Sequence, residues 1–280
     1  MLQAFLNNID LNIKYLHIQH KMRKVDFHLH DGCEIYFLIT GSVKYFVEKN
    51  IYPINFGDLM ITNNHEIHKP SISADSIYER ITIEFNPALA QLFNTADFDL
   101  LNCFYNRQNG EQNRLSLNHK ETSEILILFN KYETLCKNPV NCSEILKLNY
   151  FIELLVFINQ LFMNSKHIES GTHIHKKLIP VLEYIEQNLE SDLSLENIEK
   201  RFYINRYYLS KLFKKWAGST IHEYIIYKRI STAKKLIHEG YSITEASIKS
   251  GFNDYSAFLK MFKKTVGILP KEYSKHFGKA

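Results

Sequence analysis

Two stretches near the C-terminal end of the chain carry lysine, tyrosine and serine side chains at the spacing of one helix face. They repeat one another at an offset of 49 residues, and the shared positions are Asn205, Lys211, Phe213, Lys214, Lys215 and Gly218, then Asp254, Lys260, Phe262, Lys263, Lys264 and Gly267. An Asn or Asp before each stretch can cap a helix, and a Gly after it can end one. Each stretch therefore predicts a helix of about a dozen residues.

Both predicted helices have one apolar face and one polar, mostly basic face. The apolar faces consist of Leu209, Leu212, Phe213 and Trp216 in the first helix and Phe258, Met261, Phe262 and Thr265 in the second. The opposite faces carry Tyr207, Ser210, Lys211 and Lys214 in the first helix and Ser256, Leu259, Lys260 and Lys263 in the second. We expect the apolar faces to pack inside the protein and the basic faces to meet solvent or a partner.

A helix with a basic face of this kind fits the major groove of B-DNA, which is about 12 Å wide. Lysine can donate to guanine, tyrosine or serine can meet base edges, and flanking cations pair with phosphates. The residues suited to phosphate contacts are Arg206, Lys214, Lys215, Lys263 and Lys264. A lysine-rich face is also typical of a solvated helix. The duplication favours DNA binding over a merely solvated face, because two such helices joined by a rigid helix can enter major grooves about 34 Å apart.

This region resembles the DNA-binding part of the arabinose-operon regulator family (AraC/XylS), which has a double helix-turn-helix. The matching residues are Leu195, Asn205, Leu209, Phe213, Lys214, Gly218, Ile243, Gly251, Phe252, Asp254, Phe258, Phe262, Lys263, Gly267, Pro270 and Tyr273. The most specific part is Gly251-Phe-Asn-Asp-Tyr. By position, the resemblance implies that bases are read by Arg206, Tyr207, Ser210 and Lys211 in the first unit and by Tyr255, Ser256, Leu259 and Lys260 in the second.

Four positions depart from the family pattern. Glu199 and Ser247 stand where the family usually has a small Ala, and Ala246 replaces a larger aliphatic residue. Leu259 replaces a residue that is usually polar. Leu259 could touch a thymine methyl group, or the second unit could mainly hold phosphates, and the sequence leaves both open.

The N-terminal half contains His28-x-His30, then Glu34, Gly41, Gly57 and His68, a spacing that looks like a cupin. On a strand, His28 and His30 point to the same side. In metal-binding cupins three His and one Glu hold a divalent metal, and the resemblance places His28, His30, Glu34 and His68 at those positions. Imidazole and carboxylate suit zinc, iron, manganese or nickel.

We prefer a different use of these residues, because AraC/XylS sensor domains carry similar ones around a pocket for a sugar or another small molecule. The effector would then contact His28, His30, Glu34, Tyr36 and His68. This interpretation needs no cofactor and no catalysis, so the protein is expected not to be an enzyme. A metal-sensing regulator and a metal-dependent cupin enzyme are the alternatives.

The elements that must position these residues are strands first and helices later. Strands rich in Ile, Tyr, Phe and Val are predicted at Glu34–Ile39, Val43–Val47, Leu59–Thr62 and Tyr78–Phe85, which indicates a β-sandwich or small barrel. Apolar residues at helical spacing predict paired helices at Glu121–Cys136 and Ser143–Met163. The second helix is apolar enough for a dimer-forming face, and its polar residues argue against a membrane span.

Composition agrees with a globular protein of two domains, since 280 residues are 45% hydrophobic and 23% charged. No apolar run reaches the ~18–20 residues of a membrane span, and the start lacks a signal-peptide pattern. Four dispersed cysteines without a C-x-x-C pair fit a reducing compartment. Residues 176–280 hold 19 Lys+Arg against 11 Asp+Glu, an excess typical of a nucleic-acid-binding part.

These features predict an α+β protein in four parts. An N-terminal cupin-like β-barrel for the effector takes residues 1–115, a helical dimerisation segment 116–165, a linker 166–175, and a C-terminal all-α double helix-turn-helix domain 176–280. We expect a ligand-responsive transcription regulator that acts as a cytoplasmic homodimer. Its partners would be specific double-stranded DNA, a small-molecule effector and, for an activator, RNA polymerase, with no membrane partner. Activation and repression both remain open.

Overall fold

The computed structural model describes residues 11, 13–21, 27–72, 77–164, 168–169, 172–173 and 177–277. Its strands are β1 (Lys14–Lys21), β2 (Cys33–Thr40), β3 (Val43–Val47), β4 (Asn50–Ile54), β5 (Asp58–Thr62), β6 (His68–Ile72), β7 (Ile77–Phe85), β8 (Arg114–Ser116), β9 (Ile168–Glu169) and β10 (Thr172–His173). Its helices are α1 (Pro87–Gln91), α2 (Asn102–Tyr105), α3 (His119–Lys137), α4 (Ser143–Met163), α5 (Ile179–Gln187), α6 (Leu195–Phe202), α7 (Arg206–Ala217), α8 (Ile221–His238), α9 (Ile243–Lys249), α10 (Tyr255–Val266) and α11 (Pro270–Phe277). The α+β class is confirmed.

Two antiparallel sheets form the N-terminal domain. One has the strand order β1-β7-β2-β5-β8-β9 and the other β10-β4-β3-β6. Between them lies a core of aromatic and aliphatic side chains from β2, β3, β4, β5 and β7: Tyr36, Leu38, Val43, Tyr45, Val47, Tyr52, Ile54, Met60 and Tyr78. The odd residues of β2, such as Ile35 and Phe37, belong to a second core on the other face of the sheet. Strand β2 is therefore buried on both faces, with alternate residues in different cores.

The four predicted strands are present, and the barrel also uses strands that the sequence analysis did not single out. Strand β1 pairs with β7 along its whole length. Strands β4 and β6 contain Pro53 and Pro70, which interrupt a strand pattern. Pro70 is tolerated because β6 lies at the edge of its sheet, where a missing N–H costs no ladder hydrogen bond.

Helices α3 and α4 cover the outer face of the larger sheet. Helix α3 begins at His119, because Asn118 and Glu121 form a capping box at its start. Helix α4 buries Leu148, Phe151, Leu155 and Ile158 in the core that it shares with the sheet. Among the described residues, α4 is the one helix long and apolar enough to span a membrane, by length and composition only. Its packing is that of a core helix, and the predicted dimer face stays a prediction.

The predicted linker falls largely outside the described residues, which include only 168–169 and 172–173 of it. These two pairs of residues do not stand apart from the sheets. Strand β9 pairs with β8, and β10 pairs with β4. In the described part of this segment the backbone extends one edge of each sheet, and the assignment of 166–175 as the linker stays a prediction.

The helical domain and the barrel share one core. Phe27, Phe46 and Ile67 of the barrel are buried in the same cluster as the inner faces of α7, α8 and α10. The Phe46 ring lies edge-on to Phe213 of α7, with ring centroids 6.5 Å apart. The chain thus forms two sequence-distinct domains whose apolar surfaces pack directly on one another.

Candidate DNA interface and effector pocket

The duplicated stretches form two helices of equal length, α7 and α10, with 12 residues each. The side chains of Asn205 and Asp254 accept backbone N–H hydrogen bonds at their starts, and Gly218 and Gly267 end them in the left-handed conformation. The inner faces are buried at Leu209, Phe213, Phe258 and Phe262. Helix α8 lies between the two units and starts with the capping box of Thr220 and Glu223.

The outer faces of both helices are open to solvent at most of the predicted positions. Tyr207 is 73% exposed and Tyr255 is 45% exposed. Seven other predicted contact residues are also exposed: Lys211, Lys214, Lys215, Ser256, Lys260, Lys263 and Lys264. Ser210 is half-buried. Each helix therefore presents an aromatic ring and several cations on one exposed surface.

Two of the predicted contact residues are placed differently from the expectation. Leu259 is half-buried against the helical core, because it lies at the edge of the apolar face, next to Phe258. Arg206 forms an ion pair with Glu196, and its Nε lies 3.8 Å from Glu199 Oε2. Glu199 also accepts a hydrogen bond from the Arg206 backbone N–H at 3.2 Å. Glu199, one of the departures from the family pattern, thus fixes the start of α7 and partly neutralises Arg206.

The C-terminal ends of both helices approach the barrel. Lys69 of β6 donates hydrogen bonds to the Gly218 carbonyl at 2.7 Å and to Ser219 Oγ at 2.5 Å. A cation at this place stabilises a helix C-terminus. Lys264 and Thr265 of α10 line a small cavity together with Phe27 of the barrel. The barrel therefore contacts both candidate DNA-binding helices at the ends remote from Tyr207 and Tyr255.

A cavity of about 170 Å³ opens between the two sheets at the edge of the barrel. Its lining residues are Lys14, Leu16, His28, His30, Glu34, Tyr36, Pro70, Arg80, Thr82 and Glu84. Four of the five predicted effector residues are among them. The fifth, His68, is completely buried and lies behind this lining, with its ring centroid 4.9 Å from that of His30. We call this cavity the effector pocket.

Hydrogen bonds fix the two inner histidines through their Nδ1 atoms. Nδ1 of His68 lies 3.0 Å from the Glu66 carbonyl oxygen, and Nδ1 of His30 lies 2.8 Å from the Gly32 carbonyl oxygen. A carbonyl oxygen only accepts, so both Nδ1 atoms donate, and each Nε2 either donates to a carboxylate, when its ring is protonated, or binds a cation, when its ring is neutral. Each Nε2 faces Glu34, at 3.3 Å for His30 and 3.7 Å for His68.

The electrostatics of the pocket depend on Glu34. Burial raises the pKa of this carboxyl, but the charge of His68 and the hydrogen bond of His30 outweigh burial and hold the pKa well below its usual range. Burial lowers the pKa of His68, and Glu34 more than compensates, so that the pKa is raised. Burial and the neighbouring His68 lower the pKa of His28 to about 4. The pocket thus contains an ionised Glu34 and a neutral His28 near neutral pH.

Three of the four residues matched to the cupin metal site come together. His28, Glu34 and His68 each offer a ligand atom, and these atoms lie within 4.8 Å of one another. His30 is not in this group but borders it through Glu34. His65 lies in the turn before β6 and does not belong to the pocket lining.

Sequence reasoning missed Arg80, the residue that adds a permanent positive charge to the pocket. Arg80 lies on β7 between Tyr78 and Thr82, so the alternation of the strand places all three on the inner side. That alternation was readable in the predicted strand. What could not be read was that β1 extends the wall beside β7 and that residues 27–30 also line the cavity.

The pocket connects to the helical domain through Asp31, the residue after His30. Lys234 of α8 forms an ion pair with Asp31 at 2.6 Å and lies 3.3 Å from the His30 carbonyl oxygen. Tyr273 of α11 donates to Asp31 at 3.0 Å. On the other wall, His68 is followed by Lys69, which caps α7. In each of the adjacent pairs His30–Asp31 and His68–Lys69, the histidine therefore lies at or behind the pocket lining, and the other residue contacts the helical domain.

Two family models match the chain. Residues 13–119 match the AraC-like ligand binding domain, and residues 198–276 match a helix-turn-helix domain. The match to the first includes every residue of the effector pocket, and the match to the second includes α7 and α10. Both models, like the names of the relatives below, belong to regulators, and they do not support the alternative of a metal-dependent enzyme.

Among curated proteins, the regulatory protein PocR of Salmonella typhimurium is 33% identical over 110 residues, which are 39% of this chain and 36% of that protein. An uncharacterized HTH-type transcriptional regulator of Staphylococcus aureus is 26% identical over 253 residues, 89% of this chain and 32% of that protein. The chain spans about a third of the length of these relatives.

Among solved structures, ToxT from Vibrio cholerae is similar, with 17% identity, a TM-score of 0.40, and coverage of 95% of this chain and 98% of that chain. Together the two family models match most of the chain, in the order of a sensor domain followed by a helix-turn-helix domain. The chain therefore belongs to the AraC family of transcription regulators.

Proposed function

We propose that the protein is a cytoplasmic, ligand-responsive transcription regulator that binds specific double-stranded DNA through α7 and α10. The observation that carries this proposal is the repeated exposure of an aromatic ring and several cations on helices whose opposite faces are buried. A solvated helix has no need of an exposed tyrosine in the first turn of both copies. Tyrosine, serine and lysine at these positions suit base edges and phosphates.

The dimensions of the domain support two contacts on one face of a duplex. A helix of 12 residues is about 18 Å long, and the 18 residues of α8 between the units extend about 27 Å. A linking helix of this length is of the same order as the ~34 Å between successive major grooves. Lys211 and Lys260 occupy equivalent places in the two units and would each contact DNA.

We predict that Lys211→Ala and Lys260→Ala each weaken DNA binding by about 1–3 kcal/mol. A gel shift with the DNA upstream of the protein's own coding region measures this, and wild-type affinity should fall steeply between low and moderate salt. Lys120→Ala, a change at a strongly exposed lysine of α3, is the matched control and should leave affinity unchanged. A DNA affinity that does not depend on salt concentration, or an equal loss of affinity in all three variants, would contradict the proposal.

The effector would act on DNA binding through the two adjacent pairs, His30 with Asp31 and His68 with Lys69. A ligand that moves the histidines would also move the contacts of Asp31 with Lys234 and of Lys69 with the end of α7. A ligand shifts such an equilibrium only by its difference in affinity for the two arrangements. Homodimerisation through α4, and contact with RNA polymerase by an activator, belong to the same proposal.

A second candidate is a metal-sensing regulator, and one observation favours it. Nε2 of His68 is completely buried and makes no hydrogen bond to any residue that the structure describes. Its Nδ1 is held by a carbonyl oxygen, the arrangement usual for a histidine that binds metal through the other nitrogen. His28, Glu34 and His68 would hold a divalent ion such as zinc, which both imidazole nitrogen and carboxylate oxygen bind well.

Elemental analysis tests the metal candidate. Protein purified without chelator, or reloaded with Zn²⁺, should bind about one equivalent, and His68→Gln should bind less. The DNA affinity of the loaded protein should differ from that of the chelated protein. The metal candidate is wrong when no ion is bound after reloading, and an ion that leaves DNA affinity unchanged is not the effector.

A further inference from the structure

Arg80 holds a fixed position in the effector pocket but leaves one edge of its guanidinium unused. Nη1 donates to Tyr78 Oη at 2.8 Å, and that oxygen lies 2.7 Å from Tyr36 Oη. The guanidinium also lies over both rings, 5.3 Å from the centroid of Tyr78 and 5.9 Å from that of Tyr36. In contrast, Nε is buried and has no hydrogen-bond partner among the described residues.

The two carboxylates that line the same pocket as Arg80 are bound to other groups. Glu34 accepts from Tyr45 at 2.8 Å and faces His30 and His68. Glu84 pairs with Lys14 at 3.2 Å. Arg80 itself forms no ion pair with any residue in the described part of the chain. A half-buried guanidinium without an anionic partner suits an anion supplied from outside.

We propose that the effector is a small organic acid whose carboxylate binds the guanidinium of Arg80. A guanidinium binds a carboxylate through charge-assisted hydrogen bonds. The inference rests on the proposed function, in which this pocket is the effector site, and it names the class of ligand. The remainder of the acid lies among Leu16, Tyr36 and Pro70, with His28 and Thr82 available for its hydroxyl or carbonyl groups.

The size and charge of the pocket limit the acid further. A cavity of about 170 Å³ suits a compact molecule. A single free guanidinium near the carboxylates of Glu34 and Glu84 suits one negative charge. A phosphate, which carries more charge near neutral pH and needs several cationic partners, is disfavoured.

A thermal-shift panel tests this inference. It contains small monocarboxylates, among them benzoate, butyrate, pyruvate and glucuronate, each beside its primary amide and beside inorganic phosphate. We expect at least one acid to raise the Tm of the wild-type protein while its amide does not. Its Kd, measured by calorimetry, should rise roughly ten- to a hundredfold in Arg80→Gln, because a charge-assisted pair of hydrogen bonds is lost. Arg201→Gln, the same change in the helical domain, should leave Kd unchanged.

The outcomes separate this inference from the proposed function. Amides that bind as well as acids, acids that bind Arg80→Gln as tightly as wild type, phosphate as the tightest ligand, or no binding by any acid would each overturn the carboxylate assignment. The gel shift is run on the same wild-type and Arg80→Gln samples. Retained, salt-dependent DNA binding leaves the DNA-binding function standing in each of these cases, and its loss in both proteins is a failure of the proposed function.

Discussion

Replacing Gly251 with alanine is expected to destabilise the helical domain by more than about 4 kcal/mol and to abolish DNA binding. Gly251 follows α9 in the second helix-turn-helix and has a φ of +93°. A Cβ there would lie 1.9 Å from the Leu189 carbonyl oxygen and 2.8 Å from Arg229 Nε. Arg229 donates to that same carbonyl at 3.0 Å, so neither group can move without breaking the contact between them.

Gly240→Ala is the matched control for this prediction. Gly240 has a similar φ of +97°, but a Cβ there would meet nothing within 4 Å. It therefore measures the conformational cost alone, about 1–2 kcal/mol. Urea unfolding followed through the fluorescence of Trp216, the single tryptophan, reports on the helical domain directly. Equal losses in the two variants would show that the contact with Leu189 is unimportant.

The helical domain could be predicted closely because its signals are local. Asn205 and Asp254 mark helix starts through hydrogen bonds within three residues, and Gly218 and Gly267 mark the ends. A repeated pattern then identifies each helix twice. Leu259 shows the limit of this reasoning, because a residue at the edge of an apolar face can lie inside or outside, depending on how the neighbouring helices pack.

The effector pocket could be predicted only in part, because its walls come from distant parts of the chain. His28, His30, Glu34 and Tyr36 were found from their spacing along one strand region. Arg80 was not, although it lies on a predicted strand, because its importance depends on which charges surround it in the fold. The contacts of Lys69, Lys234 and Tyr273 with the other domain are likewise invisible to periodicity, since they join residues far apart in sequence.

A buried ion pair beneath the pocket should be among the largest single contributors to the stability of the barrel. Arg107 and Glu66 pair through two hydrogen bonds, at 2.6 Å and 2.7 Å, and both side chains are 0% exposed. Glu66 also accepts from the backbone N–H of Gly110 and of Asn63. Its carbonyl oxygen accepts from Nδ1 of His68, so this network also orients the histidine behind the pocket lining.

Arg107→Met is expected to cost about 3–5 kcal/mol at neutral pH, because it leaves the Glu66 carboxylate buried without its cation. Burial raises the pKa of Glu66, but Arg107 outweighs burial and lowers this pKa below 4.5. The ion pair therefore stabilises the fold above pH 4.5, and acidification removes this stabilisation. The loss in Arg107→Met should accordingly be smaller near about pH 4 than at neutral pH.

In the double variant Glu66→Gln with Arg107→Met, removal of the buried charge should recover part of the stability. Urea unfolding monitored by near-ultraviolet circular dichroism of the barrel tyrosines measures each loss. A cost independent of pH, or a double variant as unstable as the sum of the single variants, would show that the charge of Glu66 is not what Arg107 neutralises.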